Sequence, residues 1–282
     1  MGWLITASVI WGFSFGLIKG QTTGIDPFVL GVIRSGIAAG FFLPWYLRDR
    51  FKSRRLSRED IRNAWRAGIC GFIQIGLMYG PYLLSFRYLK AHEVALFTMT
   101  TPIIMALLLT LSLKSISKQL IMAALLATLG GAITAWNELS SADTQTGIVL
   151  VQLSNVLFAA GLLLWKRWFS DAPVRSASIM FPYFVGATLA AALLALLFAH
   201  EIRTYSGQQW LVMIWLGVVA SGLGFLIWNL GALRVSGATL TVANNLKLPI
   251  AIIISLAIFG ESANLGLLAS GLAILLLALR MA

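Results

Sequence analysis

Ten long apolar stretches, separated by short polar segments, constrain this chain more than any other feature. Each stretch is close to the roughly 20 residues that an α-helix needs to cross the hydrocarbon core of a bilayer. The predicted spans are 3–20, 28–46, 65–85, 92–112, 118–136, 147–166, 176–198, 210–231, 239–259 and 263–281. Short segments of alternating polarity, which are typical of membrane β-barrels, are not found. The sequence therefore predicts an all-α polytopic membrane protein, a single transmembrane domain of ten helices over residues 1–282.

The composition excludes the other broad classes of protein. Hydrophobic residues make up 59% of the 282 residues and charged residues only 11%, and the mean hydropathy is +0.87. Soluble domains contain roughly 25% charged residues, so a water-soluble globule of this composition could not cover its surface. A disordered chain is excluded as well, because so little charge would not oppose collapse.

The positive charges lie mostly on one side of the predicted membrane. The formal net charge is +11. If the N-terminus is cytoplasmic, 15 of the 21 lysines and arginines face the cytoplasm and four face outward, and eight of the 15 lie within 48–66. By the positive-inside rule we expect a multi-pass protein of the cell inner (plasma) membrane with both termini in the cytoplasm. The segment 48–66 is expected to contact anionic lipid headgroups, and no nucleic-acid partner is expected.

Residues that hold metals or perform catalysis are scarce. Cys70 is the only cysteine, so no internal disulfide can form, and His92 and His200 are too far apart for a metal-ligand motif. We therefore expect no metal site and no cofactor. An intramembrane enzyme would need a nucleophile with a base, an acid pair or a metal cluster at bilayer depth. The sequence offers none of these, so we expect no enzymatic activity.

The two halves of the chain align with a constant offset of 147 residues. The pairs that coincide include Lys19 with Lys166, Arg87 with Arg234, and Pro102 with Pro249. Each half, residues 1–138 and residues 147–282, contains five predicted spans. Because five is odd, the second half enters the membrane from the opposite side, and the two five-helix repeats are inverted. Inverted repeats are typical of transporters that work by alternating access; a duplication that merely builds a stable bundle is the alternative.

Short motifs in both halves carry a family resemblance. They are the segment Trp11-Gly12-Phe13-Ser14-Phe15-Gly16 followed by Lys19, the prolines Pro102 and Pro249, and the segment Phe259-Gly260-Glu261. On these motifs the whole chain resembles the drug/metabolite transporter superfamily, EamA type, and within it most resembles the YddG-type amino-acid exporters. The resemblance implies ten helices, cytoplasmic termini and export of small metabolites, commonly amino acids. The first half departs from the pattern, since Leu113-Lys114 stands where the second half has Gly260-Glu261.

Polar side chains inside a membrane span are costly and are therefore functional candidates. Lys247 lies near the middle of the ninth span, with Asn244 one helical turn before it and Asn245 close by. A cation flanked by amides can bind a carboxylate. The alternative is a lysine that extends to the water interface or pairs internally. Arg34, in the outer third of the second span, is expected to be an interfacial or structural charge.

The other predicted substrate-binding residues are polar or aromatic and lie near mid-span. They are Trp11, Ser14, Gln74, Tyr79, Tyr82, Thr98, Thr101, Asn155, Trp228 and Asn229. Trp11 and Tyr79 lie too deep for the aromatic belt at the interface, so they are expected to line a cavity or to pack in the core.

Prolines and small residues within spans predict hinges and close helix packing. Pro102 and Pro249 are predicted hinges, because a proline removes a backbone hydrogen bond and kinks its helix. Small residues four apart let helix backbones approach each other. On this basis we expect close packing at Gly40 in the second span and at Gly76 in the third.

The distribution of carboxylates bears on how transport would be driven. No aspartate or glutamate lies at mid-depth in a predicted span. Ion-coupled transporters usually place a carboxylate or a carbonyl cage within the membrane. The sequence therefore favours facilitated transport down a gradient, and the alternative is protonation of an outer glutamate or of Lys247.

Together these features predict a small-metabolite exporter that works by alternating access around a central cavity. Amino acids, among them aromatic or apolar ones, are the predicted substrates. The alternative is an organic-anion or phosphate-ester exchanger that uses Lys247 as its charge-binding group. A channel would need a charged ring or a filter motif, and neither is found. The expected partners are a small-molecule substrate and the lipid bilayer; the oligomeric state is left open, and a monomer is compatible with the sequence.

Overall fold

A computed structural model describes residues 2–52, 57–113, 142–170, 177–200 and 204–247, with scattered positions within 121–129 and 266–277. In these ranges all of the regular structure is helical. The predicted spans 118–136 and 263–281 lie largely outside the described residues. The second half of the span 239–259, which contains Pro249, also lies outside them.

Eight helices follow one another along the described chain. They are α1 (Gly2–Gln21), α2 (Pro27–Lys52), α3 (Arg58–Ser85), α4 (Ala91–Phe97, Thr98–Thr100 and Thr101–Leu113 in succession), α5 (Ala142–Phe169), α6 (Ala177–Phe198), α7 (Gly207–Ala232) and α8 (Gly237–Ala243, continued by Asn244–Leu246). The first seven are long and apolar enough to cross a membrane. This confirms the prediction of an all-α protein with several membrane-spanning helices.

Polar caps determine where several helices begin. The Ser57 hydroxyl accepts a hydrogen bond from the backbone N–H of Asp60 (3.0 Å), and the Asp60 carboxylate accepts one from the Ser57 N–H (3.0 Å). This capping box explains why α3 starts about two turns before the predicted span. Ser206 and Gln209 form the same capping box at the start of α7. Asp26 caps α2 through its carboxylate.

The distribution of side chains is the reverse of that in a soluble protein. Large apolar side chains point outward, among them Leu196 at 85% exposure and Leu211 at 70%. Polar side chains such as Gln74 and Asn229 are completely buried. Lipid tolerates apolar side chains on the outside, whereas polar groups find partners only between helices. The described helices therefore have the surface of a membrane-embedded bundle.

Glycines produce the closest helix contact, which we call the α3–α6 seam. A Cβ atom on Gly71 would overlap the backbone of Tyr183, and one on Gly186 would overlap the backbone of Gly68. The predicted close packing at Gly76 is found in the same seam. The prediction was wrong for Gly40 of α2, where no described atom lies within 4 Å of such a Cβ. Spacing of small residues shows where helices can approach, but not which face meets a neighbour.

Five of the eight described helices contain turns that are not α-helical, counting the 3₁₀ turn Ala177–Ile179 at the start of α6. α3 is π-helical over Phe72–Leu77, and α7 is π-helical over Leu216–Leu223. α4 and α8 contain 3₁₀ turns at Thr98–Thr100 and Asn244–Leu246. Such interruptions change the backbone hydrogen-bonding pattern and are frequent at functional sites. Pro102 follows the 3₁₀ turn of α4 by two residues, and its hinge role stays a prediction.

Candidate functional site

A small cavity lies where seven of the described helices approach each other, and we call it the central cavity. Its volume is about 60 Å³. The lining residues are Trp11, Ser14, Phe15, Arg34, Met78, Tyr79, Tyr82, Thr98, Thr101, Ser154, Asn155, Phe158, Phe225 and Lys247. They come from every described helix except α6, with Lys247 directly after the 3₁₀ turn of α8. The cavity therefore lies at the centre of the bundle.

Most of the predicted substrate-binding residues meet at this cavity. Those that line it are Lys247, Trp11, Ser14, Tyr79, Tyr82, Thr98, Thr101 and Asn155. Those that do not line it are Gln74, Trp228, Asn229, Asn244 and Asn245. Binding of a substrate by any of these residues stays a prediction.

Lys247 points its ammonium group into an aromatic part of the cavity. The side chain is only 8% exposed, so it does not extend to the water interface. Its Nζ donates to the Asn244 Oδ1 (3.3 Å) and lies 5.8 Å from the centre of the Trp11 ring and 5.6 Å from that of Phe158. Aromatic faces attract cations. The ammonium group is thus held in place while one side of it faces the cavity.

Trp11 connects the cavity to the π-helical turn of α7. Its indole N–H donates to the backbone carbonyl of Ala220 (2.9 Å). Its ring packs against Phe225 (4.9 Å between centroids) and Trp228 (5.1 Å), and Gly224 leaves the space for the indole. Trp11 both lines the cavity and packs against buried rings, the two roles expected from its depth, and only the fold shows that its partners are on α7.

Arg34 of α2 lines the central cavity although it was not among the predicted substrate-binding residues. We expected an interfacial or structural charge, but the side chain is 3% exposed and lines the central cavity. Its guanidinium lies 4.6 Å from the centre of the Tyr79 ring. The Tyr79 hydroxyl is in turn hydrogen-bonded to the Ser221 hydroxyl in the π-helical turn of α7 (2.6 Å). The only feature of the sequence that could have indicated Arg34 as a cavity residue is that this charged residue lies within a predicted span.

The polar residues of α4 and α5 form a hydrogen-bonded wall. The Asn155 amide donates to the Phe97 carbonyl (3.1 Å) and to the Thr100 hydroxyl (3.1 Å). Thr98 and Thr101 donate their hydroxyls to carbonyls within α4. These hydroxyl oxygens keep acceptor capacity, so this wall can accept hydrogen bonds from a ligand.

Gln74 and Asn229 belong to a buried network away from the central cavity. The Gln74 amide donates to the Asn229 Oδ1 (3.2 Å), and the Tyr183 hydroxyl donates to the Gln74 Oε1 (2.8 Å). The Trp165 indole donates to the Asn229 carbonyl (3.2 Å). This network joins α3, α5, α6 and α7. In the described conformation its polar groups hold helices together and do not face the cavity.

A second, larger cavity of about 640 Å³ opens at the end of the bundle where α1 ends, which we call the Lys19 end. There the Lys19 ammonium donates to the Phe86 carbonyl (2.6 Å), and Arg87 pairs with Asp26 (3.6 Å). Three packed rings, Phe15, Tyr82 and Phe86, lie between the two cavities. Phe15 and Tyr82 line the central cavity, whereas Phe86 lines the larger one.

A related lysine contact lies at the opposite end of the bundle, where α5 ends. The Lys166 ammonium donates to the Ala232 carbonyl (2.9 Å) and to the Val235 carbonyl (2.6 Å). Lys166 is the residue that the 147-residue offset pairs with Lys19. Each lysine therefore binds carbonyls at the end of a helix that contains a π-helical turn.

The charge of the central cavity determines what it can bind. Two cationic side chains, Arg34 and Lys247, line it, and none of its described lining residues is a carboxylate. In the described part of the chain no cluster of three or more histidines, cysteines or acids could hold a metal ion. Two like charges in low-dielectric surroundings repel each other, and an anion relieves that repulsion. The cavity is suited to a small anion with an apolar body.

Several membrane-crossing helices packed around a central cavity that is lined by aromatic rings and two cationic side chains form an architecture suited to a membrane transport protein. Residues 1–136 match the EamA-like transporter family. The biotin transporter of Salmonella typhimurium is 32% identical over 282 residues, which cover 99% of this chain and 91% of that protein. The probable biotin transporter of Pseudomonas aeruginosa is 36% identical over 99% of this chain and 96% of its own. This chain belongs to the EamA-like transporter family.

Two further comparisons agree with this assignment. The biotin transporter of Escherichia coli is 33% identical over 93% of this chain and 85% of its own. A protein of known crystal structure superposes with a TM-score of 0.73 at 17% identity, over 99% of this chain and 94% of that protein; at this identity the likeness concerns the fold alone. The resemblance to the EamA type is confirmed. The protein is a multi-pass membrane transporter and not an enzyme.

Proposed function

We propose that this protein transports a small organic carboxylate, namely biotin, across the cell inner membrane through the central cavity. The observation that carries the proposal is the charge of that cavity: two buried cations and no carboxylate among its described lining residues. The names of the relatives support biotin as the particular carboxylate.

The chemistry of biotin matches the surfaces of the cavity. Its carboxylate suits a buried cation, and its apolar chain and ring suit the faces of Trp11 and Phe158. The N–H groups of its ureido ring need acceptors, which the hydroxyl oxygens of Thr98 and Thr101 provide. A cavity of about 60 Å³ holds only a few water molecules, so the proposal requires the cavity to widen when it opens to one side.

Amino acids, the substrates predicted from the sequence, are the second candidate. Their carboxylate would suit the same cations, and an aromatic or apolar side chain would suit the same rings. However, their ammonium group would lie near Arg34 and Lys247 without a described carboxylate to receive it. Phosphate esters are the remaining candidate, because two cations can also bind a dianion. The charge of the cavity favours anions over zwitterions.

We further propose that transport uses alternating access between two inverted five-helix repeats, residues 1–138 and 147–282. In support, the turns that are not α-helical recur at nearly the 147-residue offset. The π-helical turn Phe72–Leu77 matches Leu216–Leu223. The 3₁₀ turn Thr98–Thr100 matches Asn244–Leu246. The contacts of Lys19 and Lys166 recur at opposite ends of the bundle. Discontinuous helices at matching positions of two halves are typical of such transporters.

Counterflow in proteoliposomes tests the substrate. Purified protein is reconstituted with unlabelled biotin inside, and entry of labelled biotin is followed against competition by phenylalanine, leucine and glycerol phosphate. We expect saturable biotin exchange that the amino acids and the phosphate ester do not inhibit. Saturable exchange of an amino acid or of the phosphate ester, without biotin exchange, would overturn the proposal in favour of that candidate. Flux that does not saturate would indicate a channel.

Cysteine labelling tests the topology. In a Cys70→Ser background, Arg54→Cys lies between the second and third predicted spans and Asp143→Cys between the fifth and sixth. With both termini in the cytoplasm and inverted repeats, an impermeant maleimide added outside cells should label position 143 and not position 54. Labelling of both positions from the same side would contradict the inverted arrangement.

A further inference from the structure

Arg34 is a buried charge whose hydrogen-bonding groups are not used up. Its side chain is 3% exposed. Its Nε and Nη1 atoms are buried and have no hydrogen-bond partner among the described residues. A guanidinium group has five N–H donors in a planar fork, and burying it without a counter-ion costs several kcal/mol. Arg34 is therefore a buried cation whose N–H donors are not satisfied by the described residues.

The carboxylates at the Lys19 end are engaged elsewhere. Asp26 pairs with Arg87 (3.6 Å) and caps the start of α2. Glu93 accepts a hydrogen bond from the backbone N–H of Lys90 (2.6 Å) at the start of α4. Neither residue lines the central cavity. Among the described residues no carboxylate is available to Arg34, so a ligand can supply the negative charge.

The two cations of the central cavity differ in how they are held. Lys247 already donates to Asn244 and lies over two aromatic rings. The guanidinium of Arg34 lies 4.6 Å from the centre of the Tyr79 ring, and the Tyr79 hydroxyl is hydrogen-bonded to Ser221. The cation–π contact holds the guanidinium against Tyr79, while Nε and Nη1, although buried, keep N–H groups without a described hydrogen-bond partner. A guanidinium fork is the group best suited to bind a carboxylate through two parallel hydrogen bonds.

We propose that Arg34 binds the carboxylate of the substrate and is the residue that distinguishes an acid from its neutral amide. Tyr79 is a positioning residue that holds the guanidinium group, and Lys247 interacts with the remainder of the substrate. This assignment rests on the proposed function, because it takes the transported molecule to be a carboxylate.

Calorimetric titration of the purified protein with biotin and with biotinamide, its neutral amide, tests the assignment. Wild-type protein is expected to bind biotin at least about tenfold more tightly than biotinamide, since a charge-assisted pair is lost in the amide. In Arg34→Gln the affinity for biotin should fall to that for biotinamide, which itself should change little. Retained binding of biotinamide shows that the variant is folded.

Two further variants complete the experiment. Arg34→Lys keeps the charge but not the fork, so it should keep a preference for biotin that is weaker than that of the wild type. Arg234→Gln is the matched control, since Arg234 is exposed and lies outside the central cavity, and it should keep the full preference. If Arg34→Gln still prefers biotin as strongly as the wild type does, the assignment to Arg34 is overturned while the proposed function stands. If wild-type protein binds neither biotin nor biotinamide, the proposed function is overturned, and the assignment with it.

Discussion

The two sides of α3 are built in opposite ways. Towards α6, glycines bring the backbones so close that a single added carbon atom at Gly71 or Gly186 would overlap the neighbouring helix. Towards the central cavity, α3 presents Tyr79 and Tyr82, large side chains that border open space and a cation. One helix thus separates a tightly packed seam from the cavity.

The difference shows how a bundle in lipid combines stability with a binding site. Lipid provides no hydrophobic drive between helices, so van der Waals contact in seams such as α3–α6 must hold the bundle together. At the seam the hydroxyl of Tyr183 is hydrogen-bonded to Gln74. Polar groups at the cavity, Arg34 above all, keep donors without described partners. Changes at the seam should therefore affect folding, and changes at the cavity should affect transport.

The largest effect is expected for Gly186→Ala at the α3–α6 seam. The new methyl group would overlap the backbone of Gly68, which cannot move aside as a flexible side chain would. We expect a loss of about 3 kcal/mol or more in stability, seen as a lower unfolding temperature in detergent and a low yield of folded protein. An unfolding temperature equal to that of the wild type would mean that the seam is not tightly packed.

Lys247→Gln should have the next largest effect, on transport and not on stability. The amide keeps much of the length of the side chain but removes the charge that faces the cavity. We expect biotin counterflow to fall by about tenfold, and binding of biotin and biotinamide to weaken alike. The unfolding temperature should not fall, because a buried charge costs free energy. If the variant shows normal counterflow, Lys247 does not contribute to substrate transport, although it lines the cavity.

A smaller change in stability is expected for Tyr183→Phe in the buried network. The substitution removes the hydrogen bond to Gln74 and leaves a buried amide oxygen unpaired, at a cost of about 1–2 kcal/mol. The concentration of biotin that gives half-maximal counterflow should not change. Tyr82→Phe is the matched control, since no described residue is hydrogen-bonded to its hydroxyl; it should not lower the unfolding temperature. An equal loss in both variants would contradict the assignment of this network to the seam.

The smallest effect is expected for Gly40→Ala on α2. It is chemically the same change as Gly186→Ala, but no described atom lies within 4 Å of the new methyl group. We expect stability within about 0.5 kcal/mol of the wild type and unchanged counterflow. A large loss at this position would show that a neighbour packs there.

The sequence predicted the site best where depth in the membrane was the deciding property. Lys247 and Trp11 were singled out because a polar or amphipathic group at mid-span must have a partner or a cavity, and both line the central cavity. Arg34 was not predicted to line the cavity, because position along a helix does not show which way the side chain turns. Gln74 and Asn229 lie deep as well, but they are hydrogen-bonded to each other, and nothing in their spacing indicates that they meet.

The sequence alone determined that the chain is a helical membrane protein, because the length and apolarity of each span are local properties that a bilayer selects one helix at a time. It also predicts an internal repeat, through paired residues at one offset. Only the tertiary structure decided which polar groups satisfy each other and which remain available to a ligand. That distinction depends on contacts between helices far apart in the chain, such as α2 with α3 at Arg34 and Tyr79, and contacts of this kind are set by how whole helices pack.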